Sequence, residues 1–128
     1  MDDTRMVIDT TIFVEHLRKK NKLNSELAKL PNNSILFVSS VTVFELLTGA
    51  TDSEKKFDVE EVLSDVFIIE FDRSVAERAA KIYRNLKGKN LMIEFRDIFI
   101  AATALTHNLP IKTLNTKHFN RIDGLELL

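Results

Sequence analysis

Short apolar runs alternate along this chain with stretches in which apolar positions recur every three or four residues, the first pattern being that of buried strands and the second that of amphipathic helices. Met6-Val7-Ile8 is the first such run, and a helix is expected over residues 12–20. A second, short helix over 25–30 ends at the turn signal Pro31-Asn32-Asn33. The β-branched and aromatic segment 35–38 reads as a strand. Ser39 and Ser40 can cap a helix over 41–48, which Gly49 stops. Residues 57–63 read as a helix and 67–71 as a third strand. Ser74-Val75-Ala76-Glu77 has the form of a capping box opening a helix to Gly88, where the glycine suits a left-handed cap. A further helix over 94–107 ends at Asn108-Leu109-Pro110, and 111–114 and 125–128 read as two last strands. Strands alternating with helices give the α/β class, with a mainly parallel central sheet of four to five short strands covered by helices on both faces. Ligands bind such sheets outside the carboxyl ends of the strands.

Three carboxylates break the apolar pattern: Asp9 directly after the first run, Glu45 inside Val41-Thr42-Val43-Phe44-Glu45-Leu46-Leu47, and Asp97 inside Phe95-Arg96-Asp97-Ile98-Phe99-Ile100. A charge removed from water is costly unless it is paired or bound to metal, so three acids in apolar settings with few bases nearby ask for a shared cation. Each has a bland alternative. Asp9 can cap the following helix, Glu45 can lie at a helix edge touching water, and Asp97 can serve the dipole of its own first turn. Arg96 is adjacent to Asp97, and adjacent helical residues do not face one another.

With 128 residues and 45% hydrophobic content the chain has room for one domain, spanning 1–128, around one sizeable core. Its 18 basic and 19 acidic residues leave a net charge of -1, which excludes a whole-molecule field that draws in a polyanion, so any nucleic-acid contact must be local. The absence of cysteine excludes disulfides, cysteine-ligated zinc and thiol catalysis. No signal peptide or membrane-length apolar run is present in the sequence, so a cytoplasmic protein without membrane contact is expected. Oxygen donors suit Mg²⁺, with Mn²⁺ as a second candidate, and such an ion matches phosphodiester hydrolysis.

The residues that carry this chemistry also carry a resemblance. Val7-Ile8-Asp9-Thr10-Thr11-Ile12-Phe13, Ser39-Ser40-Val41-Thr42-Val43-Phe44-Glu45-Leu46, Arg96-Asp97-Ile98-Phe99-Ile100-Ala101-Ala102-Thr103-Ala104 and Thr113-Leu114-Asn115-Thr116-Lys117-His118-Phe119, in this order and spacing, resemble a PIN domain. They resemble in particular the single-domain VapC toxins of prokaryotic toxin–antitoxin pairs, over nearly the whole chain. The resemblance implies a three-layer α/β/α PIN-like fold and a Mg²⁺-dependent endoribonuclease with Asp9, Glu45 and Asp97 as metal ligands. It further implies a small cognate antitoxin and a homodimer as partners, with RNA as substrate. Water rather than the ribose 2′-hydroxyl is then the expected nucleophile, leaving 5′-phosphate and 3′-hydroxyl ends.

The family's remaining acid falls in the segment 113–119, where this chain offers Asn115 and His118 instead. Asn115 brings a carbonyl oxygen without charge and completes the catalytic set Asp9, Glu45, Asp97 and Asn115, while His118 is either a phosphate contact or a surface residue before a core Phe. Thr10 either meets substrate or satisfies backbone at the helix start, and Glu94 either supports the acids or answers its helix dipole. Arg18, Lys19, Lys20 and Lys22 suit the end of the first helix, whereas Arg96, Lys112, Lys117 and Arg121 stand nearer the acids in sequence. A competing reading is a catalytically weak PIN-like module that binds RNA or protein without cutting.

Overall fold

The computed structural model describes residues 2–128. In chain order it contains β1 (Thr4–Ile8), α1 (Thr10–Arg18), β2 (Ser34–Ser39), α2 (Ser40–Thr48), α3 (Ser53–Leu63), β3 (Phe67–Ile69), α4 (Arg73–Gly88), α5 (Phe95–Thr106), β4 (Ile111–Lys112) and α6 (Thr116–Phe119). The four strands form one sheet in the order β3-β2-β1-β4, and every pairing is parallel.

Alternation along β1 creates the layers. Met6 and Ile8 point into a core shared with Ile12, Phe13, Val38, Leu46 and Val59, so α1, α2 and α3 cover that face. Val7 points the other way, into a core with Val75, Ala79, Ile82 and Leu86 of α4, the buried stretch of α5, and Phe119. Helices on both faces make this the three-layer α/β fold expected from sequence. Full burial of side chains such as Phe13 and Phe119 contributes about 1.5–3 kcal/mol each. On α4 the buried positions Val75, Ala79, Ile82 and Leu86 follow the helical repeat, giving one apolar stripe. No helix among the described residues is long and apolar enough to cross a membrane.

Strand order also fixes where a site can lie. The chain moves outward from β1 to β2 and β3, then returns to place β4 on the other side of β1. The crevice at this reversal is bounded by the residues after β1 and after β4, which are Asp9 and the segment from Thr113 to Asn115. The Asp9 amide donates to the Lys112 carbonyl at 3.0 Å and ties the two strand ends together.

Several boundaries differ from expectation for local reasons. The helix expected over 25–30 is a single 3-10 turn at Lys22–Asn24 followed by turns, with one helical-type bond from the Lys29 amide to the Ser25 carbonyl. α3 starts earlier, because Asp52 accepts from the Lys55 amide and caps it. α4 is capped by Asp72 through the Val75 amide, and the Glu77 of the apparent capping box instead accepts from Arg73 at 2.9 Å. Gly88 is not a left-handed cap. The helix runs through it, and Asn90, at φ 56°, takes the left-handed position while the Leu91 amide reaches back to the Leu86 carbonyl and the Asn90 amide to that of Lys87. The strand expected over 125–128 is reduced to one parallel bridge from Leu127 to Ile111.

Candidate active site

At the crevice lies a cavity of about 680 Å³ whose lining includes Asp9, Glu15, Glu45, Glu94, Asp97, Asn115 and His118. All four residues of the expected catalytic set therefore share one cavity, although they come from four separate segments.

Asp9 is 1% exposed and occupies the N-cap position of α1 without making a side-chain cap bond. Its carboxylate is used otherwise. Oδ2 accepts from the hydroxyls of Thr11 and Thr113, both at 2.7 Å, and Oδ1 has no hydrogen-bond partner among the described residues. The same hydroxyls order the opposite wall of the crevice, Thr11 accepting from the Leu114 amide at 3.1 Å and Thr113 from the Asn115 amide at 2.9 Å. One clamp thus sets the acid and the Asn115 loop together.

Asp97 sits in the first turn of α5 with its side chain 15% exposed. Burial first, then the charges of Asp9 and Glu94, push its carboxyl up to about 6, against the opposing pull of Arg96 and His118. His118 Nδ1 is 3.8 Å from Asp97 Oδ2 and 2.8 Å from the side-chain Nδ2 of Asn115, so Asn115 holds the ring that faces the acid.

Glu45, on α2, is held differently. Its Oε1 accepts from Thr10 Oγ1 at 2.8 Å, and its Oε2 pairs with Arg96 NH1 at 3.3 Å. Thr10 has one hydroxyl proton, so while it donates to the carboxylate the Thr42 hydroxyl, 2.9 Å away, must donate to it. Among the described residues no three His, Asp or Glu side chains converge closely enough to hold an ion as they stand, and Glu45 is engaged by Thr10 and Arg96.

Residues whose roles the sequence left open make defined contacts. Thr10 lines the cavity and donates to Glu45, which positions that carboxylate. Glu94 makes no cap bond and pairs with Arg96 NH2 at 2.8 Å. The bases lining the cavity are Arg18, Lys19 and Arg96, and not Lys112, Lys117 or Arg121. Arg121 donates to the Met92 carbonyl, and Lys22 donates to the carbonyls of His16 and Leu17 at the end of α1. Of the bases near the acids in sequence Arg96 alone lines the cavity among the described residues, and the end of α1 reaches it because α1, which follows directly on Asp9, runs along its wall.

The PIN domain family model matches residues 6–125. Ribonuclease VapC of Rickettsia bellii is 34% identical over 130 residues, covering 96% of this chain and 94% of its own length. Ribonuclease VapC1 of Methanocaldococcus jannaschii is 29% identical over 122 residues, covering 94% of this chain and 83% of its own. Among solved structures, VapBC2 from Rickettsia felis, bound to a DNA fragment from the promoter of its genes, superposes with a TM-score of 0.85 at 26% identity, covering 98% of each chain. FitAcB from Neisseria gonorrhoeae superposes at 0.77 with 30% identity and 96% of each chain covered.

Proposed function

From the premise that this chain belongs to the PIN-domain family, among its VapC ribonucleases, we propose that it is a divalent-metal-dependent endoribonuclease, the toxin partner of a small antitoxin. The observation that carries this reading is the gathering of Asp9, Glu45 and Asp97 onto one cavity, with Asp97 crowded enough by burial and by Asp9 to be pushed up to about 6. Carboxylates so crowded form a donor set that a hard dication relaxes, and Mg²⁺ or Mn²⁺ suits oxygen ligands of this kind. Asp9, Asp97 and Glu45 would hold the ion, with the Asn115 carbonyl oxygen beside them. When bound, such an ion orients a water and neutralises charge on a phosphoryl oxygen.

The chain's own residues supply the rest. Thr11 and Thr113 fix the Asp9 carboxylate through Oδ2, which leaves Oδ1 for a ligand. Arg18 and Lys19, on the cavity edge, offer cations to the phosphates of a bound strand. Cleavage by water leaves 5′-phosphate and 3′-hydroxyl ends.

The test is cleavage of RNA by purified, nuclease-free protein with Mg²⁺, with EDTA, and with the variant Asp9→Asn. Cleavage should require the cation and fall more than about 100-fold in the variant. Full activity of Asp9→Asn overturns the assignment. The lack of three converged acids favours one other reading, a module that binds RNA without cutting, and intact RNA retained by the Mg²⁺-loaded protein would establish it instead.

A further inference from the structure

Among the described residues Arg96 is the Lys or Arg side chain that pairs with Glu45. Its NH1 reaches Glu45 Oε2 on α2 at 3.3 Å, while NH2 holds Glu94 Oε2 at 2.8 Å, so the guanidinium spans the cavity mouth between two helices. The position is an awkward one for a cation. Arg96 is the second residue of α5, where the positive end of the helix dipole disfavours it, and nearby carboxylates offset that cost. Glu45 is suspended between two holders of different strength. Thr10 grips Oε1, and because Thr10 directly follows Asp9 this keeps the Glu45 carboxylate beside the Asp9 end of the cavity. Arg96 takes the other oxygen over a longer, single contact, its own side chain 57% exposed against 17% for that of Glu45. Ion pairs so exposed are weak and exchangeable.

We propose that Arg96 is an internal counter-ion that holds Glu45 out of the acid cluster, and that a divalent cation completes its site by displacing this guanidinium from Glu45 Oε2. This rests on the nuclease reading and adds to it a positioning residue that sets how tightly the ion is bound. Thr10 is the pivot in this exchange. With Oε1 retained, Oε2 is free to turn toward Asp9 and Asp97 once Arg96 lets go, and the cation takes over the neutralisation that Arg96 provides without it.

The experiment is calorimetric titration of Mn²⁺ into wild type, Arg96→Gln, Glu45→Gln and the double variant, with urea unfolding to establish that each is folded. Arg96→Gln should tighten Mn²⁺ by about two- to five-fold, the range expected for release of an exposed pair. In the Glu45→Gln background the same change should gain nothing, because no pair remains to be broken. Equal tightening in both backgrounds would mean that Arg96 acts only as a distant charge, and unchanged or weaker binding by Arg96→Gln would mean that it does not compete; either overturns the inference while leaving the nuclease reading standing. Failure of the folded wild type to bind Mn²⁺ at all overturns both.

Discussion

At the scale of single residues, the site is organised by hydroxyls as much as by acids. Thr11 and Thr113 orient Asp9, and Thr10 with Thr42 orients Glu45, so these two carboxylates are aimed by short donors that cannot themselves titrate in the physiological range. Three of the acids are legible in the sequence because a charge inside an apolar run is an anomaly in any local window. The threonines are not, since Thr10 looks like an ordinary helix-start residue and its partners lie 32 and 35 positions away. The contribution of that contact is measurable. Thr10→Val keeps the shape but removes the donor from a partly buried carboxylate, and should cost about 1–2 kcal/mol in urea unfolding of the metal-free protein. Unchanged stability would mean that water replaces the hydroxyl without loss.

At the scale of elements, α1 links the site to the irregular segment that follows it. His16 Nδ1 lies 2.7 Å from Ser25 Oγ, whose oxygen also accepts from the Ala28 amide, and Ser25 is fully buried. Glu15 adds a second tie by accepting from the Glu26 amide at 2.9 Å. These anchors hold the segment after α1 in turns where the sequence pattern suggested a helix. Burial first, then the charge of Lys22, lowers the His16 pKa below 6.5, with Glu15 opposing. The folded protein therefore takes up this proton less readily than the unfolded chain. The His16 contribution to stability is present above pH 6.5 and is lost as pH falls through the lowered folded value. Asp97 acts with the opposite sign: raised from 3.8 to about 6, it favours folding fully below 3.8 and loses that contribution as pH rises through about 6. Replacing His16 with Gln should remove the first effect alone, so that the stability of the variant relative to wild type rises as pH falls from 7 to 5 in the metal-free protein. Urea midpoints across that range check this, and parallel profiles would contradict it.

At the scale of the whole molecule, the nine Phe divide in a telling way. Phe13 and Phe119 are fully buried, whereas Phe44, Phe57, Phe67, Phe71 and Phe95 are exposed. Phe67 and Ile68 lie on β3, the edge strand of the sheet, and Phe71, Phe99, Phe95 and Tyr83 form a chain of ring contacts across α4 and α5. An exposed aromatic edge on a domain with net charge -1 invites association. Under the proposed function, the protein expressed with its genomic neighbour should co-purify with a small antitoxin and scatter light with the mass of an assembly containing two copies of this chain. A lone monomer without a co-purifying partner would remove both the homodimer and the antitoxin from the reading.

The sequence by itself determined the layer architecture and the identity of the acids. Strand and helix periodicities are local properties, and burying each apolar run on its own side of a parallel sheet leaves little choice of class. It also placed Asp9 at the carboxyl edge of the sheet, because that follows from one strand ending at Ile8. Only the tertiary structure decided where along that edge the crevice opens, since the position of β4 beside β1 is a long-range pairing. Packing also chose between equivalent local signals, capping α4 with Asp72 rather than Ser74 and turning the chain at Asn90 rather than Gly88. The same holds for charge. The sequence shows Arg96 beside Asp97, but the helix directs it to Glu45 and Glu94, because α5 crosses next to α2 and side chains meet by geometry rather than by order along the chain.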